Sequence, residues 1–347
     1  MKQGRLKHTF VGCNTPQGYH SFAEEDLQGI ERVFMLLGAP GCGKSGIIAR
    51  LAQSLRERGL NIEVWQTAKE VGAPEGIIIP ELSAAVIDAG FLEYVHPQNP
   101  GVVEDIYNLG DCWEQEMLRC NQQEIKKLNA EIKENMLAES RLLAIYQQEQ
   151  QKLYAARGIS LTEAELDNVC GSLAKELFSA KNLQVRRFFA SVYTDDGLIS
   201  YAQELSAVCK RRFLICGDSA KVLARVYAEG LKHGHSVDLY YDMLEPEQIQ
   251  MLIFPQLSVA LVDSSLPDLE PLYTDELVEA GTSAVGNQLR QHPLTEENDW
   301  QDLSRISEEN INRLAAYYTA AMNFEQTEKI YDDIITKLWQ MAAERGC

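Results

Sequence analysis

The sequence predicts two tandem α/β domains, each a mostly parallel sheet between layers of helix with a helical arm appended, and three observations carry the prediction. Short continuous apolar runs such as Val33–Leu37 alternate with helix-period runs such as Gly46–Arg58, whose apolar residues fall at Ile47, Ile48, Leu51 and Leu55. Strands that alternate with helices build parallel sheets through right-handed crossovers. Much of the chain occurs twice, and its 347 residues, 45% hydrophobic, suffice for two cores of ordinary size.

The duplication is visible residue by residue. Phe10–Phe22 returns as Phe189–Tyr201, with Phe10, Thr15, Gly18 and Ser21 kept as Phe189, Thr194, Gly197 and Ser200 at a constant offset of 179. The same offset carries the apolar strand Phe34–Leu37 onto Phe213–Cys216 and Gly38 onto Gly217. Beyond that point the offset is 175: Ile79–Ser83 meets Phe254–Ser258, and Asp88 meets Asp263. The domains are therefore expected at 1–186 and 187–347.

The elements follow in order. Cys13–Phe22 contains the repeated turn; a turn must reverse the chain in both copies, and in the first it also stands as a candidate flank of a ligand. After the strand Val33–Leu37 comes Gly38-Ala39-Pro40-Gly41-Cys42-Gly43-Lys44-Ser45, the pattern G-x-x-x-x-G-K-S, and then a helix opening at Gly46. Glycines let the backbone approach an anion closely, successive N–H groups and the helix N-terminus hold phosphate, Lys44 neutralises the β/γ oxygens, and Ser45 ligates Mg²⁺. Gly38 to Gly46 are thus the expected nucleotide-binding residues. The run Ala84–Ile87 ending in Asp88 reads as a strand whose carboxylate supports the metal, so Ser45 and Asp88 are the expected Mg²⁺ residues. Glu81 becomes Gln256 in the second copy, the change expected if a carboxylate base were no longer needed, so Glu81 stands beside Lys44 as a candidate catalytic residue, with an ordinary surface glutamate as the alternative. Cys42 is read as a small residue that fits inside the loop, with a thiol whose pKa is lowered by the backbone amides as the alternative.

From Trp113 to Arg157 apolar residues at Ile125, Leu128, Ile132, Leu142 and Ile145 predict an amphipathic helix, and Thr162–Phe178 predicts a second that folds back on it, a hairpin over about 113–182. The charged stretch Glu131–Glu139 is read as a solvated face, with a lid, a dimerising arm or a partner-binding arm as alternatives. In the second copy the loop shortens by four residues to Cys216-Gly217-Asp218-Ser219-Ala220-Lys221, without G-K-S, so one competent site is expected per chain. Lys210-Arg211-Arg212 is read as solvated strand-end charge. Ser307–Ala343 is the second copy's helical arm, where Ile330–Trp339 echoes Ile145–Tyr154.

The net charge is −19; through Arg186 there are 19 basic and 25 acidic residues, and beyond it 13 and 26, so the halves carry −6 and −13. General nucleic-acid or anionic-membrane binding is disfavoured. Apolar runs are short and the N-terminus lacks an apolar leader core, so a cytoplasmic protein is expected, with its eight cysteines, none in a C-x-x-C pair, as reduced thiols.

The arrangement resembles a little-characterised bacterial family of tandem P-loop ATPase-like proteins, through Asn14–Tyr19 (N-T-P-x-G-[FY]), Gly38–Ser45 (G-x-P-G-x-G-K-S), and Ile78–Leu82 before the strand ending in Asp88. The resemblance spans nearly the whole chain and implies two P-loop NTPase-like three-layer α/β/α domains that bind ATP with Mg²⁺. The second half departs from it by lacking the lysine and two glycines of the loop. No N-K-x-D guanine-reading motif and no L-S-G-G-Q transporter signature is present. Three readings follow: an ATPase that moves its helical arms, a small-molecule kinase with the hairpin as lid, and a nucleotide-sensing module that engages a protein partner or a second copy through its arms.

Overall fold

A computed structural model of the chain is described here for residues 3–68, 72–90, 95–157, 161–177, 182–194, 196–281 and 297–346. The first copy contains β1 (Leu6–Thr9), the hairpin β2 (Gly12–Thr15) and β3 (Gly18–Ser21), α1 (Ala23–Asp26), β4 (Arg32–Leu37), α2 (Lys44–Glu57), β5 (Ile62–Gln66), β6 (Pro74–Ile79), β7 (Ala84–Asp88) and β8 (Glu104–Asn108). Three helices follow, α3 (Gln115–Cys120), α4 (Gln122–Arg157) and α5 (Glu163–Leu177). The second copy runs through β9 (Asn182–Phe189), β10 (Ser191–Thr194), β11 (Gly197–Ser200), α6 (Ala202–Ala207), β12 (Arg211–Gly217), α7 (Ser219–Lys232), β13 (His235–Tyr241), β14 (Ile249–Phe254), β15 (Val259–Asp263) and β16 (Asp275–Ala280), and closes with α8 (Glu297–Ala321) and α9 (Phe324–Arg345). Strand β9 runs across the boundary expected at 186.

The two sheets have one topology. Their strand orders, β1-β5-β6-β7-β4-β8 and β9-β13-β14-β15-β12-β16, match position for position. Each is mostly parallel, but β6 is antiparallel to both β5 and β7, as β14 is to β13 and β15. The connections explain this. Pro80–Leu82 forms a single 3-10 turn between β6 and β7, far too short for the crossover that parallel neighbours need. That turn ends on Ser83 at φ +46°, and its repeat ends on Ser258 at φ +55°, so even this left-handed serine is duplicated.

The copies meet about a pseudo-two-fold axis through equivalent residues. Phe10 and Phe189, partners in the repeat, pair antiparallel and exchange backbone hydrogen bonds of 3.4 and 2.8 Å. Tyr201 stacks on Phe10 and Phe22 packs tilted against Phe189, each with ring centroids 5.0 Å apart. Lys7 pairs with Asp238 at 2.6 Å, and the equivalent Arg186 pairs with Glu63 at 2.6 Å. This is the self-complementary geometry of a two-fold dimer, built within one chain.

The helical arms cross over. The apolar face of α9 (Ile334, Leu338, Ala342) packs with Ile47, Ile48 and Leu51 of α2 in the first copy, whereas Leu166, Cys170 and Leu173 of α5 pack with Val222, Leu223 and Val226 of α7 in the second. The expected fold-back of α5 on α4 is therefore not what forms; α4 instead pairs with α8 across the axis, where Ile125 and Leu128 meet Leu314. Its run Glu131–Glu139 is solvated only in part, because Glu139 is buried and accepts from Ser307 Oγ at 2.7 Å.

The basic triplet also differs from expectation. Arg212 is 2% exposed and donates to both Asp275 oxygens at 2.7 Å, to Glu270 O and to Gln203 Oε1. A guanidinium with its donors satisfied is the form in which a buried positive charge is tolerated. Arg211 pairs with Glu276 at the same sheet edge.

The described cysteines are free thiols, and among the described residues no helix is long and apolar enough to cross a membrane.

Candidate functional site

Strand β4 delivers the glycine loop at its C-terminal end, and α2 begins at the lysine. Gly41 and Gly43 hold φ at +84° and +89°, which side chains disfavour, and Gly43 is the N-cap residue. The Lys44 ammonium folds back under the loop, donating to Gly38 O and Ala39 O at 2.8 Å each and lying 3.6 Å from Asp88 Oδ2. It is 4% exposed, with three oxygens answering the cost of burying its charge. Asp88 is held in turn by the Gly90 amide at 2.9 Å. Pairing of Leu36 with Asp88 sets the carboxylate beside the loop, so Lys44, Ser45 and Asp88 are gathered at one sheet end. A serine hydroxyl and a carboxylate are the hard oxygen donors that suit Mg²⁺.

The Cys42 thiol is buried, and burial pushes its pKa up despite the nearby Lys44. The residue fills space between the loop and the α2 core, as the reading of a small residue that fits has it.

The second copy has a shorter loop at the same place. Helices α2 and α7 are each 14 residues long and start at equivalent positions, Lys44 and Ser219, while Gly38 matches Gly217. The loop deletion therefore takes out Ala39, Pro40, Gly41 and Cys42. Where the first copy pairs Lys44 with Asp88, the second donates Ser219 Oγ to Asp263 Oδ2 at 2.7 Å, with Ser265 bonded to the same carboxyl. Burial pushes the Asp263 carboxyl up, and hydroxyl and amide donors face it where Lys44 faces Asp88 in the first copy.

A second acid lies close by. Asp242 occupies the position of Thr67 and accepts from the Leu244 amide at 2.9 Å; burial pushes its carboxyl up to about 6. Between the unfolded value and 6 the folded chain binds the extra proton, so stability present at low pH is lost as pH rises through 6. Asp242→Asn is expected to remove this slope, and its stability advantage over wild type should grow by up to about 3 kcal/mol between pH 4 and 7. Urea titrations across that range check it.

Glu81 is not brought to the loop. Arg32 pairs with Ala84 at the opposite end of β4, and Glu81 precedes Ala84, so at about 3.3 Å per residue it sits on the order of 20 Å from Gly38. Its Oε1 accepts from the Asn61 amide and side chain at 3.1 and 2.6 Å. Gln256 makes the same bracket, accepting from the Ser236 amide at 3.3 Å and donating to Ser236 Oγ at 3.1 Å. The Glu-to-Gln change there is explained by a turn that either side chain can fasten.

The same comparison, made one element earlier, finds another acid that is glutamine in the second copy and that the residue pattern did not single out. Glu75 becomes Gln250 at the offset of 175, and it is 5% exposed. Gly76 pairs with Ile87 at the end of the antiparallel ladder, so Glu75 lies at the loop end of the sheet, where the register with β5 shifts. There it lines a small cavity with Asn14, Tyr19, Glu139 and Ser307. The signal was available, but the antiparallel direction of β6, which decides the end at which Glu75 lies, was not. The repeated turn is fastened alike in both copies: Thr15 Oγ1 donates to Gly18 O at 2.7 Å, and Thr194 Oγ1 to Gly197 O at 2.8 Å.

The helices over the loop come from the second copy, not from 113–182. Thr319 Oγ1 donates to Gly41 O at 3.0 Å, and a Cβ on Gly41 would lie 2.3 Å from Ala315 O. Met322 bridges to Trp113, the Glu114 amide donates to Ala321 O at 2.9 Å, and the Asn323 amide to Cys112 O at 2.7 Å. Tyr318 packs on Trp113 with centroids 5.2 Å apart. No protein-family model, no curated protein and no solved structure matches this chain.

Proposed function

We propose that the first copy binds a magnesium nucleoside triphosphate, ATP by the resemblance of its loop, and hydrolyses it at one site per chain, while the second copy serves as structural and regulatory partner. The observation that carries this reading is the paired difference between the copies: the loop with Lys44 against Asp88 in one, its deletion and the Ser219–Asp263 bond in the other. Backbone amides of Gly41 to Ser45 and the N-terminus of α2 would hold the phosphates. Lys44, released from Gly38 O and Ala39 O, would follow the β/γ oxygens, and Ser45 and Asp88 would hold Mg²⁺, which supplies charge neutralisation when bound. Glu75 takes the place first given to Glu81, as the carboxylate that orients water and accepts its proton.

Glu75→Gln should cut hydrolysis at least about a hundredfold while leaving Mg-ATP binding in place, and Glu81→Gln should leave turnover unchanged. Phosphate release with both variants, beside binding titrations, checks this. Full turnover in Glu75→Gln would remove that residue from the reaction.

A further inference from the structure

The phosphate loop is closed by a part of the chain that the first copy does not encode. The tip of the loop is stacked between two surfaces: Gly38 faces Leu109, where a Cβ would come within 3.3 Å, and Gly41 meets Ala315 O and Thr319. Gly43 looks toward the Phe324 ring at the start of α9. Met322 shares the core that contains Cys42. Behind this corner, α9 is fastened along α2 by Arg50–Glu328 at 2.5 Å and by Ser54 Oγ with Tyr331 Oη at 3.0 Å. Farther along, Tyr107 donates to Asp333 at 2.5 Å, and Arg58 lies over the Trp339 ring at 4.4 Å. Under this corner Lys44 is almost fully buried, and its donors are occupied by carbonyls of the loop itself.

We infer that the α8–α9 corner is a gate on the nucleotide site, and that docking of the corner and binding of Mg-ATP compete. The inference rests on the proposed nucleotide reading and adds its regulation. A triphosphate needs the Lys44 ammonium and the loop amides; the docked corner stabilises the arrangement in which Lys44 is turned inward and the tip at Gly41 is covered. A ligand shifts an equilibrium only by its differential affinity for the two states, and here the difference is the Thr319–Gly41 bond together with the buried lysine. Reciprocity then fixes the sign: whatever loosens the corner tightens nucleotide, and nucleotide loosens the corner. Because α9 belongs to the second copy and crosses to the first, movement of the gate carries nucleotide occupancy to the far half of the molecule.

The test uses the full chain with Mg-ATP as probe, comparing wild type with Thr319→Val, which keeps volume and loses the donor, and with Glu328→Gln, which weakens the α9 clamp away from the loop. Hydrogen exchange of residues 315–327 is followed beside each titration. The expected result is tighter binding in both variants, about fivefold for the loss of one neutral hydrogen bond at Thr319, with faster exchange of 315–327 in wild type once Mg-ATP is added. Equal or weaker binding in variants whose corner exchanges faster would overturn the gate while leaving the nucleotide site standing. Absence of Mg-ATP binding in wild type and in both loosened variants would overturn the nucleotide reading itself, and the gate with it.

Discussion

Lys44→Ala is expected to abolish detectable Mg-ATP binding, a loss of at least about a hundredfold, while the chain stays folded. On the proposed reading Lys44 is the cation that the loop presents to the phosphates, and charge-assisted contacts of this kind are about twice as strong as neutral ones. In the unliganded chain the same ammonium neutralises buried Asp88, so the substitution also leaves that carboxylate with the Gly90 amide but without its cation. The second copy shows how the fold tolerates such a change: Asp263, with Ser219 in place of lysine, is satisfied by hydroxyl and amide donors. Lys44→Ser is therefore expected to lose nucleotide as completely as Lys44→Ala but to be the more stable of the two, a comparison made by calorimetric titration and thermal melting. A Lys44→Ala chain that bound Mg-ATP like wild type would remove the lysine from the site.

Arg186→Ala should be among the most destabilising single changes, costing about 3–5 kcal/mol and lowering the melting temperature by on the order of 5–10 °C. Arg186 donates to both oxygens of Asp26 at 2.8 Å and lies 2.6 Å from Glu63, and the Asp26 side chain is fully buried. Removal leaves two acids at the junction of the copies beside Asp238, another acid in the same cluster. Lys7 then answers three carboxylates where two cations served before. Arg186→Met, which keeps an apolar side chain but loses the guanidinium that lies 4.8 Å over the Phe188 ring, should cost nearly as much, and adding Asp26→Asn and Glu63→Gln should recover part of the loss. Urea midpoints of these variants separate charge from packing. If Arg186→Met were close to wild type, the ion pairs would not be what joins the copies.

The legible part of this molecule was the part written in short range. Val33–Leu37, the glycine loop and the helix from Lys44 form one contiguous stretch, so its pattern alone fixed strand, turn and helix. The duplication was legible because both copies kept Thr-x-x-Gly turns and the Pro-x-Leu-Ser bend, whose left-handed serine is needed wherever β6 or β14 reverses. What the sequence did not display was long-range. The periodicity of α5 and α9 marked an apolar face but not its partner, and both helices found theirs in the other copy. Arg212 looked like a solvated charge because Asp275, which buries it, lies 63 residues on. Glu75 went unread because nothing in the residue pattern shows the direction of β6, which sets Glu75 at the loop end of the sheet and Glu81 at the far end.

One nucleotide site per chain, in the first copy, is what calorimetric titration of the full chain with Mg-ATP decides. Saturation at one equivalent is expected, with a silent trace for Lys44→Ala; two equivalents, or one that survives the substitution, would rule out a single site built on the first loop.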